Sequence, residues 1–264
     1  MRMANFVKNL FIRNRKLTID QLIIKKTFIS FFFFFLFSAA AVWGWVWLRR
    51  QPTDGAFGGG IQPQLRTVLN KNEIFFSKWV SNAHLAKKFP LSSAVKNVRV
   101  NGNVGMSNDF NPATWRLHVI RASGDTLALN LEDIKKLPKT EIIFDFKCIE
   151  GWDQVTHWAG VKFSDFMKAY NLSEESAMNY LGLSTPDQEY YVGIDMASAM
   201  HPQTLLCYEM NGKPLPMDQG YPLRLMIPVK YGIKSLKRIG SMYFNNAKPR
   251  DYWAERGYDY FSGL

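Results

Sequence analysis

The thiol of Cys148 closes an alternating row. Ile142, Phe144, Phe146 and Cys148 share one side of a strand predicted over Thr140 to Cys148, while Glu141, Ile143, Asp145 and Lys147 take the other. Glu150, Gly151 and Trp152 follow at once, and a glycine there lets backbone approach whatever the thiol faces. A thiolate is a nucleophile and a ligand for soft metals. A cysteine on an apolar row is ordinarily a small buried hydrophobe, and Cys148 alone does not separate these readings.

A second chemistry-bearing window runs from Met210 to Gly240. It holds Lys213, Arg224, Lys230, Lys234, Lys237 and Arg238 among glycines and prolines. Arg224 lies between Leu223 and Leu225, where a guanidinium needs an anion or a dense set of acceptors. Gly232 and Gly240 free the backbone to wrap a phosphate. Lys234 and Arg238, taken singly, read as parts of a solvated basic face. His157 and His201 read as structural histidines, and Glu150 as either a proton relay or a capping carboxylate. Cys207, in LLCYEMNG, reads as a buried free thiol. Two cysteines exclude a disulfide-built scaffold and a four-cysteine zinc site. There is no GxGxxG, P-loop or CxxCH motif.

The elements that must carry these residues alternate in type. A helix is predicted near 64–80 from Leu65, Val68, Leu69, Phe75, Phe76, Trp79 and Val80. Trp115, Leu117 and Val119 share a strand face. Asn130 caps a short helix stopped by Pro138, and Ser164 is expected to cap another, DFMKAYN. Tyr190–Val192 and Thr204–Tyr208 read as strands, Asn211-Gly212 as a turn, and Leu223, Leu225 and Ile227 alternate with Arg224 and Met226. Strands interspersed with short helices, without a regular βαβ rhythm, predict an α+β domain with a mixed sheet.

The net charge of +11 is concentrated at one end. Residues 1–50 carry nine Lys/Arg against Asp20 alone, which accounts for +8 of it and leaves a near-balanced remainder that gives no reason to invoke nucleic acid. Thr27 to Leu48 holds no charge over 22 residues, about 33 Å of helix, and ends in Trp43, Trp45 and Trp47. This reads as one transmembrane helix, although Ala39-Ala40-Ala41 also permits cleavage as a signal peptide. The division follows as a basic cytoplasmic N-terminus over 1–26, a membrane helix over 27–48, a Gly/Pro-rich tether over 49–63 and a catalytic domain over 64–264. Seven Lys/Arg precede the span and two follow it, which predicts a single-pass inner-membrane protein with its domain in the periplasm.

Taken together, the motifs resemble the molybdopterin-binding domain of the sulfite oxidase family, in particular its bacterial branch of protein-methionine-sulfoxide reductase catalytic subunits. The residues carrying the resemblance are Cys148-Ile-Glu-Gly-Trp152, Trp158-x-Gly160-Val161, Ala199-Met200-His201-Pro202 and Asn211 to Pro216. Gly220-x-Pro222-x-Arg224-Leu225 follows, then Lys230-Tyr231-Gly232-x-Lys234-Ser235-x-Lys237 and Tyr252-Trp253-x-x-Arg256-Gly257-Tyr258.

The resemblance implies a sulfite-oxidase-type fold around a molybdenum-molybdopterin cofactor. It implies Cys148 as the catalytic metal ligand, with Arg224, Ser235, Leu236, Lys237, Thr185, Gln219 and Asn101 binding the cofactor. A Cys148–Cys207 disulfide would destroy that site. The implied activity is transfer of an oxygen atom to or from a small oxo compound or methionine sulfoxide, with a cytochrome as electron partner. The run after Cys148 lacks the Asn and Arg of sulfite oxidases, no second immunoglobulin-like domain is expected, and Arg13-Asn-Arg15-Lys16 is at most a degenerate twin-arginine signal. The rival readings are a Cys148–His157 thiol hydrolase and a non-catalytic membrane-anchored binding module. The cofactor reading requires Cys148 and Arg224 to border one cavity.

Overall fold

The computed structural model describes residues 17–53, 60–77 and 84–264, and the chain divides between Pro52 and Thr53 into two units. The basic residues from Arg2 to Lys16, the Arg13–Lys16 motif and most of the tether's glycines lie outside the described residues.

In the first unit α1, Ile19–Arg49, spans about 46 Å and buries none of its side chains. It is long and apolar enough to cross a membrane. It starts eight residues before the uncharged run, because Thr18 forms a capping box with Gln21 and the helix takes up Lys25 and Lys26.

The second unit opens with α2, Pro63–Ser77, and then forms two five-stranded sheets. The first contains β1 (Leu117–Ile120), β2 (Thr126–Leu129), β5 (Tyr180–Ser184), β6 (Tyr191–Asp195) and β10 (Ser241–Asn245), in the order β2-β1-β10-β5-β6. It is mixed, because β1 and β10 run parallel while every other pair is antiparallel. The second contains β3 (Lys139–Lys147), β4 (Asp153–Lys162), β7 (Leu205–Met210) and β8 (Lys213–Pro214) in that order, with β9 (Arg224–Met226) on β7. Short helices fill the connections: α3 (Leu131–Lys135), α4 (Phe163–Ala169), α5 (Ser173–Ser176) and α6 (Met196–Ala199).

Asn130 caps α3 through a capping box with Asp133. The residue capping α4 is Lys162 rather than Ser164, and it contributes no side-chain bond. The Phe163 amide instead donates to the Thr204 carbonyl at 2.9 Å, so a neighbouring segment supplies the acceptor.

Two apolar clusters sit on opposite sides of the second sheet. Leu206, Tyr208 and Leu225 join the larger one with the first sheet, while Leu205, Cys207 and Met226 join Phe144, Phe146 and Trp158 in the smaller. The expected alternation around Arg224 therefore holds, with Leu223, Leu225 and Ile227 in one cluster and Met226 in the other, and β9 is buried on both faces. Gly160 sits at a β4 bulge against β7, where an added Cβ would run into the Leu206 carbonyl. Gly220, at φ +102°, lets the backbone of Lys237 and Arg238 pass within side-chain distance.

Candidate active site

Cys148 follows the last residue of β3, on the buried side of its row, and is 6% exposed. Its amide donates to the Trp152 carbonyl at 2.9 Å, and the Gly151 amide donates back to the Cys148 carbonyl at 3.1 Å. With Gly151 at φ +89° this makes a tight turn that presents the thiol, Glu150 and Trp152 to one cleft. Burial pushes the thiol above its usual range, while the Glu150 backbone hydrogen bond, Arg99 and Asn101 pull it back in part. The Asn101 side-chain Nδ2 donates to Sγ at 3.7 Å.

Arg224, Ser235 and Lys237 line the same cleft as Cys148, together with Gln219 and Asn101. Arg224 is 4% exposed, stacked 4.8 Å from the Trp158 ring and 5.6 Å from Phe146. Its Nη1 donates to the carbonyl and side-chain oxygens of Gln219 at 3.3 and 2.8 Å, and its Nε is buried without a partner. Burial without a carboxylate drags its pKa down to about 10. Lys237 Nζ donates to the carbonyls of Asn101 and Gly102 at 2.8 and 3.1 Å; burial, then the Arg224 charge, lowers its pKa to about 8. Gln219 Nε2 donates to the carbonyls of Val98 and Arg99. The 98–102 segment is therefore strapped over the basic wall. The enclosed space is about 120 Å³, below the roughly 300 Å³ of a small-molecule pocket, so a larger group would need this strap to shift.

These groups suit an anionic, metal-bearing ligand. A buried guanidinium with an orphaned Nε and a desolvated ammonium without a carboxylate partner fit a phosphate. The thiol suits a soft metal. Among the described residues no three His, Cys, Asp or Glu side chains converge on a metal position, so a metal at Cys148 would take its other ligands from a cofactor. Glu150 is the one carboxylate among the cleft's lining residues.

Two predicted contacts lie elsewhere. Thr185 borders a separate concavity of about 640 Å³ and spends its hydroxyl on Asp187 at 2.6 Å and on the Tyr190 backbone. Leu236 is buried in the larger core, its carbonyl accepting from the Leu225 amide. The solvated reading of Lys234 and Arg238 is wrong. Lys234 pairs with Asp251, and Arg238 donates to the carbonyls of Ser107, Met217 and Tyr221. His157 bonds Glu141 at 3.1 Å, and His201 bonds the His84 carbonyl and the Gln203 amide. Neither lines the cleft, which removes the imidazole a thiol hydrolase would need. Cys207 is a free, fully buried thiol on β7, in register with Arg224.

Arg99, Trp152, Tyr190, Trp253 and Tyr258 complete the wall and carry no role in the sequence reading. Arg99 stacks 4.8 Å over Trp152, whose Nε1 donates to Glu150. Tyr190 donates to the Ile233 carbonyl at 2.7 Å. The signal available for Trp253 and Tyr258 was their place in a C-terminal aromatic motif, and for Arg99 its place two residues before Asn101.

Residues 103–253, more than half of the chain and most of this cleft's lining, match the family model described as oxidoreductase molybdopterin binding domain. The chain belongs to that family. Similar members include the putative protein-methionine-sulfoxide reductase subunit YedZ1 of Azospira oryzae, 34% identical over 155 residues, covering 59% of this chain and 58% of that one. The protein-methionine-sulfoxide reductase catalytic subunit MsrP of Campylobacter jejuni is 32% identical over 168 residues, covering 57% and 55%. Mitochondrial sulfite oxidase of Rattus norvegicus is 32% identical over 181 residues, covering 58% and 33%. The chain thus spans about half, or less, of the length of these relatives. Among solved structures, the sulfane dehydrogenase SoxCD of Paracoccus pantotrophus aligns over 53% of this chain and 40% of that one, with a TM-score of 0.47 and 18% identity. The cofactor named in the family's description is the kind of group that the thiol and the uncompensated cations of the cleft fit.

Proposed function

We propose that this chain is a membrane-anchored, molybdopterin-dependent oxidoreductase that reduces a sulfoxide, methionine sulfoxide foremost. The observation that carries the reading is that Cys148 and Arg224, whose Nε is buried without a partner, line one cleft. Arg224, Lys237 and Ser235 hold the anionic tail of the cofactor, and Gln219 orients Arg224. Cys148 would ligate molybdenum, as a thiolate in spite of its burial. When bound, the cofactor supplies two-electron oxygen-atom transfer. Trp152, Trp253 and Tyr258 give the cleft an aromatic flank suited to a thioether sulfur and its methyl group. Two of the relatives above are named for methionine sulfoxide, which favours that substrate over a small inorganic oxyanion.

Helix α1 anchors the chain in the inner membrane. The excess of Lys/Arg before the span supports a periplasmic domain. The absence of a haem motif in the sequence supports a separate cytochrome as electron donor. The test is metal analysis of the full chain after loading with molybdopterin, followed by anaerobic reduction and a screen of oxo compounds for reoxidation. One molybdenum per chain, with methionine sulfoxide reoxidising the protein, is the expected result. No molybdenum, with Cys148 freely alkylated in the folded chain, overturns the reading.

A further inference from the structure

Lys234 lies among cleft residues and points away from the cleft. Gly232, Ile233, Ser235 and Lys237 all line it, whereas the Lys234 side chain is 1% exposed and runs into the domain. There its Nζ meets Asp251 Oδ2 at 2.5 Å and donates to the Gly193 carbonyl at 3.0 Å, under the Tyr260 ring at 4.4 Å. Asp251, 2% exposed at its side chain, accepts from the Gly193 amide at 3.1 Å through Oδ2 and from the Ala254 amide at 2.9 Å through Oδ1. The Ala254 bond secures the turn that holds Trp253 and Tyr258, whose backbones are joined at 3.0 Å. One buried ion pair is therefore fastened at one end to the basic loop and at the other to the aromatic wall.

This is a costly way to fill space. Two buried charges must recover their lost hydration from each other, and well-packed apolar side chains of similar size often stabilise a fold as well or better. What the ion pair supplies is a fixed geometry, because Lys234 Nζ is shared between Asp251 and the Gly193 carbonyl while Asp251 is held by the Gly193 and Ala254 amides. We infer that Lys234 and Asp251 are positioning residues for the active site. They set the spacing between Ser235 and Lys237 on one wall and Trp253 and Tyr258 on the other. Their role is separate from their contribution to stability. The inference rests on the cofactor reading proposed above.

The test compares full-length wild type with the apolar double variant Lys234→Met/Asp251→Leu. Thermal stability is read by melting, molybdopterin affinity by tryptophan fluorescence, and Cys148 accessibility by its alkylation rate. The expected result is a folded variant that melts below wild type, because the Gly193 and Ala254 amides lose the acceptor that Asp251 provides, with an affinity at least tenfold weaker and faster alkylation. A folded double variant that binds within twofold of wild type overturns the positioning role and leaves the cofactor reading intact. Wild type that binds no molybdopterin overturns the cofactor reading, and this inference with it. If the double variant does not fold, hydrogen exchange on wild type decides. Binding should slow exchange at the Gly193 and Ala254 amides, which donate to Asp251 and belong to residues that do not line the cleft. Unchanged exchange there overturns the inference.

Discussion

Lys237 offers a test of the site through the pH dependence of binding. Burial holds its pKa near 8 in the free protein. About nine-tenths of it is then charged at pH 7 and about one-tenth at pH 9. A phosphate placed beside the ammonium returns the pKa toward that of an ordinary lysine, above about 10. Binding should therefore take up roughly 0.1 proton at pH 7 and roughly 0.8 at pH 9. Affinity should fall about tenfold between these values, or ~1.4 kcal/mol. Titration of the full chain with molybdopterin, followed by calorimetry in two buffers of different ionisation enthalpy, measures both quantities. Lys237→Met should bind more weakly at pH 7 and lose most of the pH slope. The reasoning is refuted if the variant keeps the wild-type slope, or if wild type shows none.

The remaining predictions concern the fold as well as the site. Arg224→Met removes a buried charge that has no counter-ion, so the cofactor-free chain should melt no lower than wild type, while molybdopterin retention drops at least tenfold. The unfolded chain binds more protons than the native chain wherever a native lysine pKa is depressed, so Lys237, and Lys230 on the same ground, contribute stability without cofactor that rises from about pH 8 to pH 10, while the Cys148 and Cys207 thiols, raised by burial, contribute in the opposite sense. Denaturant titrations of wild type and Lys237→Met across that window check the sign: the stability of wild type minus that of the variant should rise with pH. Gly160→Ala forces a Cβ against the Leu206 carbonyl and should cost about 3 kcal/mol or more, read as a shifted denaturation midpoint. His157→Gln should leave molybdenum content and turnover within twofold of wild type, since His157 bonds Glu141 and does not line the cleft.

The cleft was legible where a residue's neighbours in sequence are also its neighbours in space. The alternating row ending at Cys148 and the apolar setting of Arg224 follow directly from the local pattern, and the structure brings both to one cavity. Reading failed where the deciding partner is remote. Lys234 looks like a surface cation until Asp251 arrives beside it, and the acceptors of Arg238 include a carbonyl 131 residues away. The α4 cap was misassigned for the same reason, because its acceptor is the Thr204 carbonyl. Local alternation also could not show that β9 has an apolar layer on each side. Thr185, implied by the resemblance alone, borders the neighbouring concavity.

The parallel pairing of β1 with β10 joins Leu117–Ile120 to Ser241–Asn245, strands made more than a hundred residues apart. Neither the first sheet nor the cleft, which draws on residues from Arg99 to Tyr258, can close while a ribosome still holds the C-terminal part of the chain. Helix α1 emerges long before that point. Contacts so distant in sequence form slowly, after the cost of closing large loops has been met. Targeting of the N-terminal helix and completion of the pocket are thus separated in time by the topology itself. A cofactor that needs the finished pocket must be delivered after the last of these residues has been made, so the order of synthesis excludes loading onto a nascent chain.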